Sequence, residues 1–293
     1  MFLVSIYKSD RTMNEEPEIS IAIVSCDRAR SLRKALMSIK KFVKIPHKIV
    51  ILDVTKNFTQ DANFDWHKKQ VDKWIEKDTP VGIGEGYQMI ADLCDTKYVF
   101  HMDDDMFFNG QDVLSAEYDY IKKNPDIGIV GCCWYDHTYK DYREAAMTWL
   151  IGEHKGKKAF RKVPIPFHYA RRPGDEMDVV ESFEALHGML INKELVYDKG
   201  AKWDSKLLAK GDREAFFMNC HRKNVKIRIL TNQIMHHDMT PYEHGSVTLK
   251  YPGKKSKEYF YKEYGLWPLE YWDKNRERIS SDGKRQMIEC EEE

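Results

Sequence analysis

Between positions 98 and 108 the chain reads YVFHMDDDMFF: three carboxylates in a row, Asp103, Asp104 and Asp105, interrupt an apolar run. Adjacent carboxylates repel, and burying them is costly unless something positive compensates. Side chains alternate along an extended strand, so Asp103 and Asp105 share a face and Asp104 points elsewhere unless the backbone turns there. Two oxygen-rich groups on one face suit a hard dication, Mg²⁺ or Mn²⁺, of the kind that joins protein carboxylates to substrate phosphates. The cation and a diphosphate would then complete the charge balance. A lone D-x-D is more often an acidic turn facing water. The apolar strand before it, and further carboxylates Asp27 and Asp53 just past other strand-like runs, favour the metal reading.

Those runs define the scaffold. ISIAIVS (19–25) is β-branched and apolar throughout, as in a strand buried on both faces. Leu32, Leu36, Ile39 and Phe42 follow at helical spacing, and KIVILD (48–53) is a second strand. A polar, aromatic-bearing segment (60–78) is expected to hold another helix. Residues 83–94 predict a helix, 98–102 a strand, 111–123 a helix stopped by Asn124-Pro125, and IGIVGCCW (127–134) a strand. This alternation predicts an α/β fold with a mostly parallel sheet and right-handed crossovers. Ligands of such sheets sit beyond the carboxyl ends of the strands, where Asp27, Asp53 and Asp103–Asp105 all fall.

The second half differs in character. Residues 153–172 form a basic hairpin or loop, ALHGMLI (185–191) is strand-like, and Trp203-Asp204 leads to a helix from Gly211-Asp212 to about Arg222. KIRIL (226–230) and QIMHH (233–237) are short strands, and the aromatic tail beyond 241 is expected to wrap the body with one or two helices. No repeat or linker appears. One composite domain over 1–240 is expected, with a nucleotide-binding half (18–134), an acceptor half (135–240) and a packed C-terminal extension (241–293).

The 293 residues are 42% hydrophobic and 32% charged, typical of a globular chain. The 47 basic and 47 acidic side chains cancel, so no global field draws the chain to nucleic acid or anionic membrane. The N-terminal stretch lacks the features of a signal peptide, and no run of eighteen apolar residues predicts a transmembrane helix. Six scattered cysteines without a C-x-x-C pair fit reduced thiols in the cytoplasm; adjacent Cys132 and Cys133 read as core.

The chain resembles the family-2-type, GT-A-fold nucleotide-sugar glycosyltransferases. IAIVSCDRARSLRKALMSI is similar to their opening strand and helix, and KIVILD to their second strand with its nucleotide-binding carboxylate. GEGYQMIADLCDTKYVFHMDDDM is similar to their helix, strand and D-x-D motif, and HGMLINKELVYDKGAKWDSKLLAKGDREAFF to their acceptor half. The likeness covers about residues 18–240. It implies a Rossmann-related sheet flanked by helices, with a small acceptor-side sheet and a C-terminal helical extension. It further implies a metal-dependent, inverting transfer of sugar from a nucleotide diphosphate, a UDP-sugar first, to a hydroxyl acceptor: a glycan, lipid-linked sugar, protein or modified nucleic acid.

Carried over residue by residue, Asp27 and Asp53 contact the base and ribose, with Ser25, Arg28, Asp103 and Asp104 beside the donor. Asp27 stands where an Asn is usual and Ser25-Cys26 where a Pro-aromatic pair is usual, which leaves the base open. Asp27 equally suits a helix N-cap. Gln88 replaces a common Asn near the nucleotide. His187-Gly188 matches a small-residue stretch beneath the donor sugar or, alternatively, a strand bend. Trp203 either stacks on a sugar or packs in the core. Asp103, Asp105 and one imidazole of the His236-His237 pair form the metal set, with His237 preferred to His236, because imidazole with carboxylate suits Mn²⁺. The resemblance aligns Arg213 with the usual catalytic base, and a guanidinium cannot serve as one. Asp212 is therefore first choice and Glu214 second; both also suit the first turn of a helix.

Two other functions compete. A nucleotidyltransferase acting on sugar phosphates also uses a sheet edge, carboxylates and Mg²⁺, but SCDRAR lacks the Gly-rich phosphate loop expected after its first strand. A non-catalytic carbohydrate- or nucleic-acid-binding module could use the basic stretches HKGKKAFRK and KYPGKKSK, which are more often solvated surface.

Overall fold

A computed structural model describes residues 16–54, 64–77, 81–138, 140–143, 146–164, 179–185, 188–207, 211–238, 253–268, 275–279 and 285–289. The N-terminal stretch, His187, positions 165–172 of the basic segment and KYP of the second basic stretch lie outside the described residues.

The chain opens with β1 (Ile19–Ser25), α1 (Ala29–Phe42) and β2 (Lys48–Asp53). The 60–78 segment supplies a short helix, α2 (Phe64–Lys69), and also a strand that its mixed polarity concealed, β3 (Lys73–Glu76). Then come α3 (Ile83–Leu93), β4 (Tyr98–Asp103), β5 (Met106–Phe107), α4 (Val113–Lys123) and β6 (Ile127–Asp136). The second half contributes β7 (Asp141–Arg143), β8 (Ala146–His154), β9 (Lys157–Pro164), β10 (Val179–Glu181), β11 (Glu184–Ala185) and β12 (Met189–Asn192). It continues with α5 (Asp212–Arg222), β13 (Lys226–His237), α6 (Gly253–Tyr264), β14 (Trp267–Pro268), β15 (Asn275–Ile279) and β16 (Arg285–Glu289). The two strands expected at 226–230 and 233–237 are one, with a register shift between Leu230 and Ile234.

The large sheet runs β10-β13-β6-β12-β4-β1-β2-β3. β4, β1, β2 and β3 are parallel, and β13 is parallel to β6. β12 lies antiparallel between β4 and β6, which makes the sheet mixed. A second sheet, β11-β8-β9-β14, stands apart. The tail is not purely helical: α6 delivers Phe260 and Tyr264 to a core with Trp149, Phe160 and Leu207, and β14 adds to β9. Among the described residues no helix is long and apolar enough to cross a membrane.

β1 is apolar and β-branched because both its faces are covered. On one side it meets Leu32, Leu36 and Ile39 of α1; on the other, Ala22 joins Val50, Leu52 and Ile90 of α3. Each such aliphatic side chain stabilises the fold by about 1.5–3 kcal/mol. Gly188, just before β12, has φ +66°, and a Cβ there would lie 2.9 Å from Met235 Cγ and 3.4 Å from Cys132 Sγ. The left-handed backbone and the crowded core explain the glycine. Gly188→Ala should cost about 2–4 kcal/mol of stability, read as a lower urea midpoint with unchanged slope.

Candidate active site

β4 ends at Asp103, the backbone turns at Asp104 and Asp105, and β5 starts at Met106. The turn sends each carboxylate to a different partner, replacing the simple alternation expected from an unbroken strand. Asp103 accepts a hydrogen bond from the Tyr87 hydroxyl on α3. Asp104 accepts from Ser25 Oγ (2.8 Å) and the Cys26 backbone N–H (3.0 Å) at the end of β1. Arg28 Nη1 reaches both remaining groups, 3.1 Å from Asp104 and 2.6 Å from Asp105. The positive charge set against the acidic run is therefore a guanidinium. Burial pushes Asp104 up to about 7 despite Arg28, and neighbouring Asp105 adds to the rise.

β13 brings His237 to this turn. Its Nε2 is 3.5 Å from Asp105 Oδ1 and its Nδ1 is 3.5 Å from Asp136 Oδ2, at the end of β6. Burial disfavours its charged form, but Asp105, Asp103 and Asp136 outweigh this and raise its pKa. Among the described residues no three His, Cys, Asp or Glu side chains come together as a metal-holding group, but the Asp105–His237 pair, with Asp136 on the other ring nitrogen, offers donors of the type that suit Mn²⁺. His236 occupies different surroundings. It hydrogen-bonds His137 at 2.8 Å and lies against Phe107 and Tyr135.

The ends of β1 and β2 gather Ser25, Asp27 and Asp53. Ser25 pairs with Asp53 across the ladder, and both Asp27 and Asp53 are buried. Burial, with Asp104, Asp27 and Asp53 nearby, pushes the Cys26 thiol up to about 12 even though Arg28 opposes. Asp27 takes φ 53°, and the N-cap position of α1 belongs to Arg28, so the N-cap role open to Asp27 does not arise.

Two residues expected at the donor have partners within the protein. Trp203 is 6% exposed, stacked with Tyr87 (ring centroids 4.8 Å) and nearly parallel to Phe216 (4.2 Å, 3°). No face is left for a sugar. Gln88 uses its amide oxygen for the Trp203 backbone N–H (3.1 Å) and its amide nitrogen for Asp92 (2.8 Å), so it fixes a loop to α3.

The acceptor side is built on α5. Gly211, at φ +88°, turns the chain into the helix. Asp212 follows, buried and pushed up to about 6 by desolvation, with Glu214 adding and Arg213 opposing. Glu214 is held otherwise. Burial alone would raise its pKa, but Lys162 Nζ at 2.5 Å brings it below the ordinary value. The same ammonium lies 3.0 Å from Glu184, which also accepts from Trp149 Nε1 at 2.6 Å. Arg213 feels the charges of Glu214, Glu184, Asp212 and Asp103.

The first turns of α3 join the two sides. A Cβ on Gly84 would lie 3.0 Å from Asp212 Cβ, and Tyr87, one turn on, holds Asp103. Tyr87, Asp136 and Lys162 escaped the sequence reading. Asp136 carried a usable signal, a carboxylate ending an apolar strand, but the strand was closed two residues early. Tyr87 and Lys162 carried none, since their partners are 16 and 52 positions away. Tyr87→Phe removes one hydrogen bond to a carboxylate and should cost about 1–3 kcal/mol of stability, read as a lower urea midpoint.

No family model matches the chain, and no curated protein does. Solved structures do. S. aureus TarS 1–349 in complex with UDP-GlcNAc aligns at TM-score 0.60 and 12% identity, covering 84% of this chain and 66% of that one. GalNAc-T7 with UDP, GalNAc and Mn²⁺ aligns at TM-score 0.60 and 15% identity, covering 86% of this chain and 49% of that one. The chain thus spans about two thirds of the first and about half of the second. The described architecture, a mixed sheet flanked by helices with a small second sheet, is the GT-A-type nucleotide-sugar glycosyltransferase fold.

Proposed function

We propose that the protein is a metal-dependent glycosyltransferase, moving a sugar from a nucleotide diphosphate donor, a UDP-sugar first, to a hydroxyl acceptor with inversion. The observation that carries the reading is the double contact of α3: its opening turns abut Asp212 through Gly84 and hold Asp103 through Tyr87. A buried carboxylate poised near neutrality and an acidic, histidine-bearing turn thus share one site. The neighbours solved with UDP-GlcNAc, and with UDP and Mn²⁺, support the same ligands for this chain.

Asp27 and Asp53 accept hydrogen bonds from the nucleoside, and Arg28 orients Asp104 and Asp105. Asp105 and His237 would hold Mn²⁺ or Mg²⁺, with Asp103 adding negative potential. When bound, such a cation offsets charge developing on the departing diphosphate. Asp212 takes the proton of the acceptor hydroxyl as its oxygen attacks the anomeric carbon opposite the leaving group. Arg213, beside it, steadies negative charge between the two carboxylate groups.

A thermal-shift screen of UDP- and GDP-sugars with and without Mn²⁺ tests this. At a hundredfold excess over Kd, ligand binding adds about 2.7 kcal/mol, a rise of several degrees. The expected result is a rise for a UDP-sugar only when the metal is present. Equal shifts in chelator, or none with any nucleotide, would count against the proposal.

A further inference from the structure

Trp203 packs among aromatic rings, but Asp204 beside it is held by a distant helix. Asp204 Oδ2 accepts hydrogen bonds from two phenols of α6, Tyr259 (2.9 Å) and Tyr264 (3.0 Å), which stand 55 and 60 positions further along the chain. Its Oδ1 accepts from the Lys206 backbone N–H at 3.0 Å and closes a local turn. Burial, with Asp204 adding to it, pushes both phenols up, so they stay protonated and keep donating. Water would satisfy a half-buried aspartate. Two ordered rings on one charged oxygen instead hold it in place.

The place so held adjoins Asp212. A Cβ on Gly84 would lie 3.5 Å from the Asp204 carbonyl oxygen as well as 3.0 Å from Asp212 Cβ, so both residues rest on the first turn of α3. α6 reaches the far end of the same loop too. Phe260, 1% exposed, packs where a Cβ on Gly211 would be 3.5 Å from its ring, and Gly211 at φ +88° is the residue that turns the chain into Asp212. From α5, Asn219 donates to the Lys202 carbonyl (2.9 Å) and reaches the Tyr264 hydroxyl (3.5 Å). One helix therefore grips the loop at 204 and at 211, either side of the stretch that delivers Asp212.

We propose that Asp204 is a positioning residue for Asp212 and that α6 sets the acceptor side through it: Tyr259 and Tyr264 hold Asp204, and Asp204 seats the start of α5 against Gly84. The assignment rests on the reading of Asp212 as the acceptor-side base and adds the residues that keep it in place. Without the two hydroxyls the loop is free to lift from α3. Asp212 then gains water, and loses both its aim and the desolvation that holds its carboxyl near 6.

The test is steady-state release of UDP by the full chain with Mn²⁺ from UDP-GlcNAc, UDP-GalNAc and UDP-glucose, water serving as the hydroxyl acceptor, followed against pH. Tyr259→Phe with Tyr264→Phe should lower kcat about ten- to a hundredfold and leave the donor KM within about a factor of two. The acid limb of that double variant should move from about 6 down toward the ordinary aspartate range. Asp204→Ala should match it, and Asp204→Asn, whose amide oxygen still accepts from the phenols, should restore most of the rate. Arg222→Met controls for a structural effect. The Arg222 guanidinium lies 4.9 Å from the centre of the Tyr264 ring, so its loss should lower the urea midpoint yet leave kcat and the limb alone. A double Phe variant that keeps either the wild-type rate or the wild-type limb overturns the proposal, as does an Asp204→Asn variant as slow as Asp204→Ala, or an equal rate loss in Arg222→Met. A wild type that releases UDP from none of the three donors, or whose release survives Asp212→Asn, also overturns it, and there the glycosyltransferase reading beneath it is the part that failed.

Discussion

Asp212→Asn should lower turnover by roughly two to four orders of magnitude while the UDP–Mn²⁺ thermal shift stays at its wild-type size. The amide keeps the shape of the side chain and loses only its ability to take a proton. Wild-type activity should fall as pH drops through about 6, where desolvation and Glu214 have moved the Asp212 carboxyl. Above that value the carboxylate is ionised and competent; below it the acid form predominates and cannot accept the acceptor's proton. The variant's residual activity should lack this limb. Glu214 makes a sharp contrast, because Lys162 overrides burial and holds it below the ordinary glutamate value. A limb below 4.5 in place of one near 6 would transfer the base to Glu214. An unimpaired Asp212→Asn variant would remove both the base and the acceptor side from this helix.

Asp105→Ala should abolish the metal dependence of nucleotide binding. Titration of UDP by calorimetry, with Mn²⁺ and then with chelator, should give one weak affinity in both, about a hundredfold below the metal-loaded wild type. His237→Ala should reproduce the loss, because its Nε2 is 3.5 Å from the same carboxylate. His236→Ala should not, since its partners are His137, Phe107 and Tyr135. Asp105→Ala also leaves the 2.6 Å partner of Arg28 missing, so about 1–3 kcal/mol of stability should go with it. Metal-dependent binding that survives the substitution would place the cation elsewhere.

Much of the scaffold was legible because its strands are buried on both faces and must be continuously apolar. ISIAIVS, KIVILD and IGIVGCCW leave few alternatives, and each carboxylate that ends such a run stands at one edge of the sheet. The direction of β12 was not legible: a four-residue MLIN reads alike whether its neighbours run with it or against it. Nor was the fate of Trp203. An indole offered to a sugar and one closed between Tyr87 and Phe216 have the same local sequence, and the difference lies in rings brought from 116 and 13 positions away. Arg28 was placed near the donor, but its grip on two carboxylates depends on the turn at Asp104, which alternation alone does not specify.

The stack of Tyr87, Trp203 and Phe216 has a consequence for how the site keeps its dimensions. Its upper ring tethers Asp103, and its lower ring belongs to the helix that Asp212 begins. Two ring contacts, with centroids 4.8 and 4.2 Å apart, therefore act as a ruler between those carboxylates. Aromatic thickness cannot be compressed as a loop can, so the span between those two side chains is calibrated by incompressible matter beneath it.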